Sequence, residues 1–196
     1  MKKILFATSA LVLLSAGAAY AEPLDNMYVS VLGGWSFDPH LSYGTNTPAM
    51  NTGFNAGARL GVNLDPYIPS VPGLSFEVDD FYTQSHYGTS QATAKLSSAS
   101  FMGNLIYHVP LGISPNVSLY GGGGAGAVDD MLSGPIHGSQ TVFGWQAIGG
   151  LEYAVSPGMS LFTEYRYQNA HDANISGLTH VGNTSNNVSV GAKFGL

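Results

Sequence analysis

Taken two residues at a time, the chain from Met27 onward alternates apolar side chains with small or polar ones, the period of a β-strand with two unlike faces. In MYVSVLGGWSF, Met27, Val29, Val31, Gly33, Trp35 and Phe37 oppose Tyr28, Ser30, Gly34 and Ser36, with Leu32 out of place. In GFNAGARLGVNL, Phe54, Ala56, Ala58, Leu60, Val62 and Leu64 oppose Asn55, Gly57, Arg59, Gly61 and Asn63. LSFEVDDFY sets Leu74, Phe76 and Val78 against Ser75, Glu77 and Asp79. SFMGNLIYHV sets Phe101, Leu105, Tyr107 and Val109 against Ser100, Asn104 and His108, although Met102 and Ile106 fall on the polar side. FGWQAIGGLEY gives Phe143, Trp145, Ala147, Leu151 and Tyr153 against Gly144, Gln146, Gly150 and Glu152. LFTEYRY gives Leu161, Tyr165 and Tyr167 against Phe162, Glu164 and Arg166, and NVSVGAKFGL gives Val188, Val190, Ala192, Phe194 and Leu196 against Asn187, Ser189, Gly191, Lys193 and Gly195.

The eighth segment, fifth in order, is VSLYGGGGAGAV. Gly121, Gly123 and Gly126 stand at G-x-G-x-x-G spacing, which marks a dinucleotide loop when it lies between a strand and a helix. The following AVDDMLSGPIHGSQ has no apolar helical period and contains Gly134, Pro135 and Gly138, which interrupt a helix. Glycine here therefore reads as a strand nearly without side chains, suited to close backbone approach.

The connections alternate as well. Asp38–Asn51, Thr83–Lys95, Asp129–Gln140 and Gln168–Asn186 read as long polar loops, whereas Asp65–Gly73, Pro110–Asn116 and Ser156–Gly158 are shorter and contain Pro. An even number of strands of about ten residues, with long loops at one end and tight turns at the other, predicts an all-β, eight-stranded antiparallel up-and-down transmembrane barrel. Closure follows from the solvent: in lipid no strand edge stays unpaired.

A soluble lipocalin-like barrel alternates too, with its apolar face inward, and charge separates the two. Only 9% of residues are charged, far below the quarter usual for a water-covered surface. Past residue 21 the basic residues are Arg59, Lys95, Arg166 and Lys193, and three of them lie on the polar face. That face suits a narrow interior; an Arg on the lipid side costs about 2–4 kcal/mol at the midplane. Asp80 alone takes the outward parity, near the expected top of its strand. Trp35, Phe37, Phe54, Tyr82, Phe143, Trp145 and Tyr167 gather at the long-loop end, and Tyr107, Tyr153 and Phe194 at the other, as two interfacial girdles. So few basic residues exclude a nucleic-acid partner, and the lack of cysteine excludes disulfides and thiolate chemistry.

MKKILFATSALVLLSAGAAYA has the charged start, apolar core and Ala-x-Ala cleavage pattern of a secretory signal peptide. The expected organisation is residues 1–21 as a cleaved signal and 22–196 as the barrel domain.

In YVSVLGGWSF, LSFEVDDFY, the glycine-rich fifth strand, LFTEYRYQ and the ending GAKFGL, the chain resembles the small eight-stranded outer-membrane barrels of OmpA and OmpX type, with the opacity-like surface proteins. The resemblance covers residues 22–196. Gly191, Phe194 and the final apolar residue look like the signal read by the barrel assembly machinery, with Leu196 where the family usually ends in Phe. The chain stops there, which implies that the peptidoglycan-binding domain of full-length OmpA proteins is lacking. The resemblance implies a bacterial outer-membrane location, both termini periplasmic, and a structural or surface role: envelope integrity, surface antigen, or adhesion through four extracellular loops to a host or surface ligand. Outer-membrane lipid and the assembly machinery are the implied partners; no cofactor is.

The expected interior charge network is Arg59, Glu77, Asp79, Glu152, Glu164, Arg166 and Lys193. Arg59 and Glu77 lie at similar height on neighbouring strands, and Glu164 neighbours Lys193 on the next pair. Such charges hold a barrel's shape, since buried charges must pair; alternatively they gate a narrow pore by exchanging partners. Eight strands enclose little beyond their own side chains, which excludes a wide pore. His40, His86, His137, His171 and His180 fall in the long loops near Asp38, Asp129, Asp130 and Asp172, without diagnostic metal-ligand spacing. A lipid-modifying enzyme needs a serine beside its base. The candidate His171-Asp172-Ala173 lacks the His-x-Ser pattern of lipid A deacylases, and the chain is read as a non-enzyme.

Overall fold

The computed structural model describes residues 26–42, 51–89, 92–112, 114–133, 138–175 and 178–196. The expected signal peptide, 1–21, lies outside the described residues. Eight strands follow the alternation: β1 (Met27–Ser42), β2 (Gly53–Asn63), β3 (Leu74–Thr89), β4 (Ala92–Pro110), β5 (Val117–Ser133), β6 (Gly138–Ser156), β7 (Met159–Ile175) and β8 (Leu178–Gly195). Each pairs antiparallel with the next, and β8 returns to β1 to close the sheet.

The register sets the shape. Hydrogen-bonded partners traced round the wall from Met27 run through Val62, Phe76, Leu105, Gly123, Ala147, Tyr167 and Asn186 and come back to β1 at Phe37. The path closes ten residues higher than it began (37 − 27 = 10). Strands staggered in this way tilt by about 35–45° from the barrel axis. Side chains that meet across the lumen are therefore not those at equal distance from the turns.

The two faces are sorted as the alternation requires. Trp35, Phe54, Phe101, Leu105, Phe143, Leu151, Tyr165 and Val190 are exposed, whereas Asn55, Arg59, Glu77, Asp79, Gln146, Glu164, Arg166 and Asn187 are buried. A soluble barrel has the reverse arrangement, with its large apolar side chains inside.

The residues that break the alternation fill the lumen. Leu32, Phe81, Ile106, Tyr120, Ile148 and Phe162 form one inward apolar cluster, and Met102, Val128 and Ala170, with Val142 against them, form another. Inward glycines make room for these knobs. A Cβ on Gly122 would stand 2.8 Å from Ile106 Cδ1, one on Gly150 2.5 Å from the Tyr120 ring, and one on Gly144 2.5 Å from Val128 Cγ2. On Gly61 and Gly191 it would run into the Tyr28 and Phe162 rings. Another glycine serves a turn: Gly73 has φ +87° between β2 and β3, and its N–H donates to Asp65 Oδ1 (2.7 Å).

Where the structure describes them, the connections expected as long loops are largely strand. β3 runs to Thr89 and pairs it with Ala92 of β4, and β5 through β8 extend similarly past the upper girdle. Above the membrane no face is buried in lipid, so alternation lapses while backbone pairing continues. His40, His86, His171 and His180 consequently lie on strands rather than in loops, and His137 lies outside the described residues. For the same reason Asp80 stands well short of the end of β3, one outward position below Tyr82, rather than at the strand's top.

Candidate functional site in the barrel interior

Alternation turns Arg59 of β2, Glu77 and Asp79 of β3, and Glu164 and Arg166 of β7 into the lumen, where all five are buried. In register Arg59 faces Asp79, and Glu77 faces Gly61. The stagger brings β7 level with them across the barrel. Arg59 donates through Nη2 to Glu164 Oε1, and approaches Glu77 Oε2 and Asp79 Oδ2 at 3.8 Å each. Arg166 Nη2 lies 2.8 Å from Asp79 Oδ2 and 3.2 Å from Glu164 Oε1, to which Nε also donates. Arg59 does approach Glu77, but this is one of its two longer contacts: Glu164 is the principal partner of Arg59.

Polar neighbours complete the cluster. Tyr28 Oη donates to Glu77 Oε1 (2.8 Å) and Tyr120 Oη to Glu164 Oε2 (3.1 Å). Arg166 Nη1 donates to Gln146 Oε1 (3.1 Å), and Gln146 Nε2 donates to Asn104 Oδ1 (2.6 Å) and Asp79 Oδ2 (3.2 Å). The Arg166 guanidinium lies over the Phe81 ring at 3.9 Å from its centre, and Arg59 faces Phe162 at 5.6 Å. The apolar knobs thus also seat the cations. Tyr28, Tyr120, Asn104 and Gln146 were not among the expected network. Their signal in the sequence was the inward parity they share with Arg59 and Glu77.

The other two expected members stand apart, nearer the short turns. Lys193 of β8 pairs with Glu152 of β6, and His108 Nε2 of β4 lies 3.4 Å from Glu152 Oε2. The Lys193 ammonium sits 5.0 Å from the centre of the Tyr28 ring. Neighbouring strands alone suggested that Glu164 would meet Lys193. The stagger instead gives Glu164 to the two arginines and Lys193 to Glu152. His108 is a further member that the parity of β4 already placed inward.

Three carboxylates and two guanidiniums share the central cluster, so its charge is balanced except for one negative charge. Taking such groups out of water costs several kcal/mol each unless attraction and hydrogen bonds offset it. Glu164 and Asp79 are well compensated. Glu77 is less so: its Oε2 accepts no hydrogen bond, and Arg59 Nε donates none. Chemically the arrangement ties β1 through β7 together across the lumen. Above it, Gln168 Nε2 donates to Ser100 Oγ (2.8 Å) and Asn183 Nδ2 to Asp130 Oδ1 (2.8 Å). His86 and His171 are exposed, and the side chains of His40, Asp172 and His180 lie outside the described residues.

A family model described as outer membrane protein beta-barrel domain matches residues 6–194. No curated protein matches the chain. Among solved structures, Neisserial surface protein A is 23% identical, with a TM-score of 0.60 over 87% of this chain and 97% of that one. Ail, the attachment invasion locus protein of Yersinia pestis, is 19% identical with a TM-score of 0.45, over 86% and 99% of the two chains. The outer membrane enzyme PagL is 17% identical with a TM-score of 0.48, over 87% and 99%. At these identities the likeness is one of fold.

Proposed function

The chain belongs to the outer membrane protein β-barrel domain family, and from that membership we propose that it is a structural, surface-presenting barrel, exported with residues 1–21 removed. Its lumen is closed by the charge cluster. Envelope integrity and adhesion or antigenicity through the extracellular hairpins are then its work, without catalysis. The observation that supports this reading is the filled lumen: Arg59 and Arg166, locked to Glu164 and Asp79, are seated on Phe162 and Phe81 of one inward apolar cluster, and a second inward cluster forms around Met102 and Val128. Side chains seated in this way oppose the passage of a hydrated ion. The barrel assembly machinery inserts it, and the strand arms beyond the upper girdle contact any surface or host ligand.

A narrow gated channel is the competing reading, favoured by Glu164 being shared between two arginines, since a shared partner can be exchanged. Conductance of the folded barrel in planar bilayers separates the two. A closed lumen gives no discrete steps from protein whose folding is verified by heat-dependent gel mobility. Reproducible unitary steps, altered in size by Glu164→Gln, would replace the closed barrel with the channel.

A further inference from the structure

The glycines of β5 divide into two sets with opposite surroundings. The inward set, Gly122, Gly124 and Gly126, is filled by other parts of the protein, so that a Cβ would collide with β4 or its side chains. The outward positions are more open. A Cβ on Gly121 would meet nothing nearer than Ile148 O at 3.7 Å, and one on Gly149 of β6 nothing nearer than Tyr120 O at 3.9 Å, whereas one on Gly123 would press on Gln146 O at 3.0 Å. Packing within the chain therefore does not account for the missing side chains at Gly121 and Gly149.

Register shows what the absence creates. One hydrogen-bonded row across four strands reads Tyr107, Gly121, Gly149, Tyr165 on the outward face. Two exposed tyrosine rings form walls, and two adjacent glycines form the floor, three interstrand spacings or about 14 Å from wall to wall. The Tyr165 wall is fixed by its Oη donating to Asn186 Oδ1 (2.6 Å). Leu119 and Val109 close the end near the short turns. In the other direction the floor continues through Gly123 and Ala147, which are register partners, towards mid-membrane. The groove is an open depression of about 600 Å³ lined almost wholly by apolar surface.

We propose that this groove is a binding site for one acyl chain of a phospholipid in the periplasmic leaflet. The groove is continuous with the lipid-facing band: Tyr107 and Val109 stand at the lower girdle, where the chains of that leaflet begin, and the Tyr165 wall, whose hydroxyl reaches Asn186, stops a chain just beyond mid-membrane. Its chemistry excludes recognition by charge: among the described residues, Arg59, Arg166 and Lys193 are turned inward, and Lys95 stands beyond the opposite girdle. The phosphate-rich headgroup of a lipopolysaccharide has no basic partner here, so selection acts on the hydrocarbon. A second barrel fits poorly, because its convex wall would be held off the glycine floor by the rings of Tyr107 and Tyr165. A flexible chain can follow that floor. The proposal requires the barrel to lie in a bilayer and is independent of whether its lumen conducts.

Native mass spectrometry of the barrel, released from mixed micelles containing palmitoyl-oleoyl phosphatidylethanolamine, tests the site. The wild-type protein is expected to retain one phospholipid per barrel. Gly149→Leu, which fills the floor, and Tyr107→Ala, which removes a wall, each reduce that adduct at least about fivefold. Gly33→Leu, on the outward face of β1 away from the groove, leaves it unchanged. Two substitutions of opposite character guard against a folding defect in either. Absence of the adduct in wild type, or equal retention in all variants, overturns the proposal. A wild-type dimer abolished by Gly149→Leu would assign the groove to a second copy instead, and, with lipopolysaccharide added to the same micelles, its retention in preference to phospholipid would overturn the choice of leaflet.

Discussion

At the scale of single residues, the interior is a matter of which carboxylate loses its partner. Arg59 touches Glu164, Glu77 and Asp79, whereas Arg166 independently holds Glu164 and Asp79. Glu77 has Arg59 as its only cation among the described residues, and the Tyr28 hydroxyl besides. Removing the guanidinium in Arg59→Leu strands Glu77 and leaves three buried carboxylates facing one arginine. Breaking a buried pair in this way costs about 3–5 kcal/mol. Urea unfolding in detergent micelles should show a loss of that size, and Arg59→Leu combined with Glu77→Gln should recover at least about 1 kcal/mol of it. Strictly additive effects in the cycle would mean that Glu77 does not carry the penalty. Membership of this site was legible in the sequence, because period-two parity alone turns Arg59, Glu77, Asp79, Glu164 and Arg166 inward. Their pairing was not. Arg59 and Glu164 lie on β2 and β7, and only the ten-residue stagger of the closed sheet makes them neighbours.

The strands themselves show where a hydropathy pattern stops being informative. Within the membrane each strand has one face in lipid and one in the lumen, and the sequence alternates most cleanly in GFNAGARLGVN of β2. Past the girdle both faces lose that constraint, and Thr83–Lys95 reads as loop although nearly all of it is ladder, His86 pairing with Lys95 and Thr89 with Ala92. The exceptions to alternation carried equal meaning: Leu32, Met102, Ile106 and Phe162 are misplaced on a polar face only until Gly191, Gly144 and Gly122 are seen as the hollows beside them. The extended arms have a dynamic consequence. Their backbone hydrogen bonds meet water, while those lower on the same strands are shielded by lipid, and local opening follows exposure. In hydrogen exchange of the barrel in bilayers, amides of 84–89 and 95–97 should exchange orders of magnitude faster than those of 76–82 and 100–106. Uniform protection along β3 and β4 would place the arms inside the membrane and shift the upper girdle outward.

For the whole molecule, polarity is inverted relative to a soluble barrel, and the inversion depends on depth as well as on side. Exposed Val190 lies on β8 midway between Phe194 at the lower girdle and Asn186 near the upper one, opposite Gly33 of β1. Exposed Val155 lies on β6 beyond Tyr153, past the same lower girdle. In water the two positions are equivalent, since both are exposed valines on a strand and neither contributes to a core. In a bilayer they differ: an arginine at the midplane costs about 2–4 kcal/mol and one near the interface about 0–1 kcal/mol. Val190→Arg should therefore lower the unfolding free energy in lipid vesicles by the larger amount and Val155→Arg by the smaller. The comparison isolates the solvent around the barrel from the packing inside it, because neither substitution reaches the lumen. Equal effects at both positions would argue that the wall around Val190 is covered by protein or water rather than hydrocarbon, and the lipid-facing groove between Tyr107 and Tyr165 would then have no acyl chain to receive.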